Sequence, residues 1–351
     1  MIPDGFINLD IELTNRCNAK CHFCPRDATP HQGLMTRETF EQALVRAKEM
    51  RERTDRDLGR ELRISLCGLG EPLLNPLAIE ATRRVTEEGF TCGMASNAAL
   101  LNEKKARSLL DAGLRHIEIN VGEQGEDYEA IYKLPWERTF DNVVRFADMA
   151  EGRCEINIVL VDHRQDLEHR EAMMAFWRQH GLENFIAFSI MNRGGALFVD
   201  HMQFDQLPQR AQAAAMLAER TDRPLCFAPF VYLFIGYDGH YYLCCSDWTK
   251  EAPLGTVFDE TFESVMDAKL EHLFTRRPVC QTCNHDPLNR LTDALRATEE
   301  GDTETMAPEV MADDIARETA DVLGIVETLR PGLVERVQPP APRRTIPVTA
   351  R

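Results

Sequence analysis

From residue 6 to about residue 191 the apolar positions switch back and forth between two periods. Short alternating or continuous apolar runs at Phe6–Leu13, Leu62–Cys67, Phe90–Ala95, His116–Val121, Cys154–Val161 and Phe185–Met191 predict strands. Between them, apolar residues recur every three or four positions over Arg37–Arg51, Pro76–Glu88, Asn102–Ala112, Thr139–Ala150 and Leu167–His180, which predicts helices. Asn102 at the head of the third helix and Gly113 just past its end are residues that capping favours. Strict βα alternation predicts a parallel sheet with right-handed crossovers. Six units are too few for a closed eight-stranded barrel. Alternation alone does not separate an open sheet from a partial barrel.

The pattern changes after that. A first domain is expected at 1–195, a connector with one helix (Asp205–Ala218) at 196–222, and a second domain at 223–290. Val231–Gly236 and His240–Cys245 read as two strands around the turn Tyr237-Asp238-Gly239. Residues 292–307 are acidic and polar and read as a linker. From Met311 to Leu329, Met311, Ile315, Val322, Val326 and Leu329 share one helical face, with Thr319 as its polar interruption. That amphipathic helix is expected to dock on its own chain. The Pro-rich tail 339–351 is expected to be disordered.

Composition narrows the function. The 351 residues carry a net charge of −17, with 57 acidic against 40 basic residues. No Lys/Arg-rich stripe is present, so nucleic acid is not the expected partner. No apolar run reaches the length of a membrane span, and the first residues lack a secretory signal. Eleven cysteines in such a chain point to metal ligation in a reducing, cytoplasmic setting.

Three of those thiols lie in one loop after the first strand: Cys17-Asn18-Ala19-Lys20-Cys21-His22-Phe23-Cys24. Thiolates select zinc, copper(I) or iron–sulfur clusters. Three of them leave one metal position open, which chemistry needs. A structural zinc site usually has four ligands in paired spacings; His22 is the available fourth, awkwardly placed beside Cys21.

With aromatic Phe23 before the last thiol, this stretch resembles the radical S-adenosylmethionine (SAM) signature CxxxCxΦC. The resemblance implies a (β/α)6 partial barrel, TIM-like and open on one side, so the fold class is α/β. It implies that Cys17, Cys21 and Cys24 hold a [4Fe–4S] cluster whose fourth iron chelates SAM. It also implies reductive cleavage of SAM to a 5′-deoxyadenosyl radical, with a flavodoxin- or ferredoxin-type electron donor. Cys67-Gly68-Leu69-Gly70-Glu71-Pro72 resembles the family's GGEP element, with Leu69 in place of the first glycine. By that resemblance Gly70 and Glu71 meet the SAM amino group, and Ser96-Asn97 its ribose and carboxylate. Asn120, Glu123 and the strand Ile156–Leu160 fall where the family contacts ribose and adenine.

A second thiol set comprises Cys226, Cys244, Cys245, Cys280 and Cys283. Cys280-Gln281-Thr282-Cys283 is a chelating CxxC pair. Four thiolates fill a [4Fe–4S] cluster with no open iron, or a zinc ribbon. Adjacent strand residues face opposite sides, so Cys244 and Cys245 do not both ligate. The set resembles the twitch domain, the short form of the SPASM domain. That resemblance, with its Gly-x4-Cys spacing, implies one auxiliary cluster on Cys226, Cys244, Cys280 and Cys283. Cys67, Cys92 and Cys154 are expected to be buried structural thiols, and Trp248 and Tyr237 packing residues.

The two resemblances imply hydrogen-atom abstraction. A closed auxiliary cluster suits a two-electron oxidation: dehydrogenation of an alcohol of a small molecule such as a cyclitol or sugar in natural-product assembly. The alternatives are a ribosomal-peptide-modifying enzyme, a redox-neutral epimerase with Cys245 as hydrogen donor, and a non-catalytic metal protein. Because the first strand begins near residue 6, an N-terminal leader-binding domain is not expected, which weighs against peptide modification. The base is not legible; the candidates at strand ends are Glu118, Glu123, Asp162, His163 and Arg193. Arg193 is also a candidate to pair a substrate anion, and a lone His163 is more often a surface or satisfied residue.

Overall fold

Each expected βα unit closes around the same division of labour, apolar residues under helices and polar ones on the opposite sheet face. The structure is a computed structural model that describes residues 5–29, 31–251, 253–302 and 305–336. The units are β1 (Phe6–Ile11) with α1 (Arg37–Arg53), β2 (Glu61–Leu66) with α2 (Ala78–Glu87), and β3 (Cys92–Ser96) with α3 (Glu103–Asp111). They continue with β4 (His116–Asn120), α4 (Gly125–Tyr132) and α5 (Trp136–Ala150), then β5 (Glu155–Asp162) with α6 (Leu167–Arg178), and β6 (Asn184–Ser189). The third helix starts as its sequence predicts, with the Asn102 side chain accepting from Lys105 N.

The sheet runs β6-β5-β4-β3-β2-β1 in parallel and is not closed. On β1, Ile7, Leu9 and Ile11 are fully buried in the main core, which also takes in Phe40, Ala43, Leu44 and Ala47 of α1. Truncating one such core residue, Ile64→Ala for example, is worth about 2–5 kcal/mol. The alternate residues Asn8, Asp10 and Glu12 face the barrel lumen, as strand geometry requires.

The second domain extends this sheet. After α7 (Arg210–Ala218) and α8 (Ala228–Val231), β7 (Tyr232–Ile235) pairs in parallel with β1. Antiparallel β8 (His240–Tyr242) and β9 (Pro253–Thr256) follow, giving nine strands in one sheet. The turn between β7 and β8 closes with Gly236 N to His240 O (2.9 Å), and Gly239 takes φ +80°. The chain then forms α9 (Phe262–Thr275), α10 (Pro278–Thr282), α11 (Pro287–Glu299), α12 (Pro308–Leu329) and α13 (Leu333–Arg336).

Several expectations are revised. The connector helix starts at Arg210 rather than Asp205, because Pro208 cannot sit inside a helix. The second hairpin strand ends at Tyr242, freeing Cys244 to turn away. Much of the expected linker 292–307 is helix: α11 runs to Glu299, capped by the Asp286 carboxylate accepting from Leu288 N and Asn289 N. The amphipathic helix is present and longer, and it joins the main core through Val322, Val326 and Leu329. Its interruption is satisfied, since the Thr319 hydroxyl donates to Ile315 O (2.8 Å) and accepts from Leu225 N (3.1 Å). The tail 339–351 lies outside the described residues.

Candidate active site

The chain leaving β1 turns through Cys17, Cys21 and Cys24, which line one pocket with Ala19, Lys20 and Arg26. The Arg26 Nη1 fastens the loop by donating to the carbonyls of Cys17 and Ala19, both at 3.0 Å. Cys17 Sγ accepts from Ala19 N (3.4 Å) and from Asn97 Nδ2 (3.7 Å). Asn97 thus ties the end of β3 to a cysteine sulfur. Burial, helped by neighbouring thiols, pushes Cys17 up to about 11 and Cys21 up to about 12. Three crowded thiols that resist ionisation alone become thiolates when a metal supplies the positive charge.

Gly70 lies where a Cβ would meet Arg16 O at 2.4 Å and Thr14 O at 2.5 Å, so the Gly68–Pro72 loop packs directly on the start of the cysteine loop. Glu71 is 1 % exposed. Its carboxylate accepts from Ser96 Oγ (2.9 Å), Asn97 N (2.8 Å) and Leu73 N (3.1 Å). Three protein donors already meet this carboxylate, so it also acts as an internal brace that holds Ser96-Asn97 against the Gly68–Pro72 loop. Phe23 is likewise a wall residue, stacked on His163 at 5.7 Å and edge-on to Tyr132 at 5.6 Å. Asn120 Oδ1 accepts from Tyr132 Oη (2.9 Å), which fixes its amide beside the same wall.

Among the candidate bases, Glu123 and Asp162 are already engaged. Glu123 takes two bonds from Arg164 (both 2.9 Å) and one from His163 Nε2 (2.7 Å), with His169 at 3.1 Å. Burial alone would raise its carboxyl, but these partners hold it below the ordinary value. Asp162 pairs with Arg170. The His163 side chain is 8 % exposed and is satisfied by Glu123.

The second thiol set is assembled from distant segments. Cys226 precedes α8, Cys244 follows β8, and Cys280 and Cys283 lie on and just after α10; all four line one cavity. Burial raises every one of these thiols, and Cys244 reaches about 12. Beside them Lys269, 1 % exposed, donates only to the carbonyls of Pro229 (2.7 Å) and Leu243 (3.3 Å). Burial lowers its amine to about 8, opposed by the charges of Cys244 and Cys245. A buried ammonium next to four thiols fits an anionic thiolate-ligated cluster. Among the described residues no three His, Cys, Asp or Glu groups converge tightly enough for a single metal ion. Cys245 points elsewhere, packing with Leu69, Phe234, Tyr242 and Trp248 close to Cys24.

The lumen also carries an acid that sequence reasoning passed over, Asp10, together with the candidate Glu118. Asp10, 7 % exposed, accepts from Cys67 Sγ (3.1 Å) and Asn8 Nδ2 (2.5 Å). Burial pushes its carboxyl up to about 7, Glu118 adds to this, and the bonds from Cys67 and Asn8 oppose it. Glu118 on β4 reaches solvent through the open lumen, yet burial raises its carboxyl too. Cys67 is therefore not an inert core thiol. Cys245 is near enough to Asp10 and to Arg193 for both charges to act on it.

A further pair joins the domains. Lys250 Nζ meets Glu12 Oε2 at 2.7 Å, with both side chains buried. Glu12 also accepts from Leu69 N (2.9 Å) in the Gly68–Pro72 loop and from Tyr237 N (3.1 Å). The signal for Asp10 and Glu12 was present: Asn8, Asp10 and Glu12 are three polar residues in phase on one strand.

The chain matches the radical SAM superfamily over residues 11–176 and the SPASM iron–sulfur cluster-binding domain over residues 226–284. It is a radical SAM enzyme with a C-terminal SPASM domain, and SAM and iron–sulfur clusters are its cofactors. It is 27 % identical over 188 residues to GTP 3′,8-cyclase of Picosynechococcus sp., covering 51 % of this chain and 55 % of that one. The chain thus spans about half the length of this curated relative. In fold it is similar to SuiB of Streptococcus suis bound to the precursor peptide SuiA (TM-score 0.56, 14 % identity, 90 % of this chain and 77 % of that chain). It is also similar to anSMEcpe with bound AdoMet (TM-score 0.54, 15 % identity, 94 % and 99 %). Among the described residues no helix is long and apolar enough to cross a membrane.

Proposed function

We propose that the protein is a radical SAM oxidoreductase that removes two hydrogens from a secondary alcohol of a small molecule, such as a cyclitol or sugar, in natural-product assembly. Cys17, Cys21 and Cys24 hold the SAM-binding cluster; Cys226, Cys244, Cys280 and Cys283 hold the auxiliary one. A flavodoxin- or ferredoxin-type protein is the electron donor. The eleven free thiols suit a reducing, cytoplasmic compartment. Bound SAM and the two clusters supply hydrogen-atom abstraction from carbon and acceptance of one electron. The chain supplies the remaining step. Asp10, as the carboxylate, takes the hydroxyl proton, so that C–H and O–H are lost and C=O forms.

The observation that carries this reading is the ionisable Asp10 in the lumen. A group near pH 7 is matched to proton transfer in neutral solution, and Cys67 and Asn8 fix its orientation. The test is product mass under anaerobic turnover of candidate alcohols. The expected outcome is a loss of two hydrogens with one 5′-deoxyadenosine per product. An unchanged mass with an inverted centre would reject oxidation and favour epimerisation. That second reading has its own support, since Cys67 and Cys245 are two thiols near Asp10 able to return a hydrogen atom.

A further inference from the structure

Two buried donors beside the lumen have no acceptor. Arg193 Nε and Trp248 Nε1 are both shielded from solvent and make no hydrogen bond. They belong to adjoining groups, with Arg193 Cζ lying 5.5 Å from the centre of the Trp248 ring. Trp248 is 5 % exposed and packs on Leu69 of the Gly68–Pro72 loop, next to Cys24 and Cys245. Among the described residues the Arg193 guanidinium has no ion-pair partner, in a chain with 57 acidic residues. Buried polar groups in folded proteins are almost always satisfied, so an orphaned pair calls for a partner that binds from outside.

The backbone aims this arginine. Arg193 has φ +52°, followed by Gly194 at +65° and Gly195 at +89°. Asn192 and Asn284 exchange N–H to Oδ1 bonds (3.2 and 3.1 Å), and Asn192 Nδ2 donates to Thr282 O (2.6 Å). A Cβ on Gly194 would meet Val279 Cγ2 at 2.4 Å. The turn after β6 is therefore clamped to the wall of the auxiliary cavity. A non-glycine residue held at positive φ is strained, and here the clamp holds Arg193 over Trp248, between the two thiol sets.

Guanidinium and indole are donors only. Their missing partner must bring acceptor oxygens, and the cationic member selects a negatively charged group. We propose that Arg193 and Trp248 form a receptor for an anionic group of the substrate, a carboxylate or a phosphate, seated between Cys24 and Cys245. This deepens the reading above, on which it rests for taking the lumen as the place of oxidation. The substrate then spans two walls, its anion on Arg193 and its reacting hydroxyl at Asp10.

Calorimetric titration of the reconstituted holoenzyme, saturated with SAM, with succinate and separately with inorganic phosphate tests the receptor. One saturable site per chain is expected, and the tighter of the two probes identifies the anion. Arg193→Gln is expected to weaken that binding at least tenfold. Trp248→Phe, which keeps an aromatic ring but removes the N–H with the pyrrole half of the indole, is expected to weaken it two- to fivefold. Absence of saturable binding to either probe, or affinity unchanged in Arg193→Gln, overturns the receptor. So does an anion that binds only without SAM, because the two donors then belong to the SAM carboxylate. Product mass is read separately. Anion binding without loss of two hydrogens rejects the oxidation alone, and loss of two hydrogens without anion binding rejects the receptor alone.

Discussion

The two thiol sites differ in how they are made. The first takes all its sulfurs from one eight-residue loop, Cys17 to Cys24, so spacing alone describes it. The second draws on three segments that meet only after β7 and β8 have joined the barrel sheet and α9 and α10 have packed. The first therefore depends on local geometry, trimmed by Arg26 and Asn97. The second depends on docking, and the clamp from Asn192 to Asn284 and Thr282 makes the barrel part of it. A local defect should silence the first site and leave the second intact. A docking defect should harm the second and reach the first through Glu12 and through the packing of Trp248 on Leu69 and Cys24.

The sharpest separation uses the ligands themselves. Cys17→Ala is expected to abolish SAM cleavage. Cys280→Ala is expected to leave some uncoupled cleavage, read as 5′-deoxyadenosine, and to lose product. Normal turnover by Cys280→Ala would remove the electron-transfer role of the second site. Iron counting is expected to give about eight per chain in the intact protein and about four when Cys17, Cys21 and Cys24 are all alanine.

Asp10→Asn tests the space between the sites. Product formation is expected to fall by about 10²–10⁴, while SAM cleavage persists. In the parent enzyme, product formation should rise with pH through about 7 as Asp10 loses its proton, and the variant should lose that limb. Stability moves oppositely. The folded carboxyl titrates above its unfolded value of 3.8, so the folded state loses stability as pH rises from about 4 to about 7. Chemical denaturation at pH 5 and pH 8 should show that loss in the parent and not in Asp10→Asn.

Lys250→Met leaves Glu12 buried without its cation. Breaking a buried pair in this way costs about 3–5 kcal/mol, read by denaturant unfolding. Because Glu12 also holds Leu69 N, SAM affinity should fall with it. Glu12→Gln combined with Lys250→Met should recover part of the stability. An unaltered SAM affinity in Lys250→Met would separate the domain contact from SAM binding.

Smaller effects probe the surroundings of the second site. With Cys17, Cys21 and Cys24 replaced, Lys269→Met should shift the auxiliary midpoint potential to more negative values by roughly 100 mV or less, since a nearby positive charge favours the reduced cluster. An unmoved potential would place Lys269 in packing alone. Thr319→Val, which removes a satisfied hydroxyl on α12, should cost about 1 kcal/mol.

What could be read from the chain follows the same division. The six βα units and the cysteine loop were legible because their signals are local and periodic. Helix α9 was missed although Thr261 and Ser264 form a capping box at its start. Lys269 and His272 lie on its buried side and break the apolar face. Helix α11 was taken as linker for a similar reason, since Asn289 and Thr292 are fully buried among its apolar residues. Asp10, Glu12 and Lys250 escaped notice because their chemistry comes from pairing across the fold. Arg193 was singled out for its place after β6, but its orphaned Nε and its neighbour Trp248 required coordinates.

The parallel pairing of β7 with β1 has a consequence for engineering. A barrel cut off before residue 226 would present β1 as an open margin with unpaired amides and carbonyls, a template for self-association. The C-terminal module is thus not a transplantable cassette, and chimeras that exchange it should aggregate unless β7 travels with the barrel. The same seam places the strands that lead to the two thiol sets side by side in one sheet.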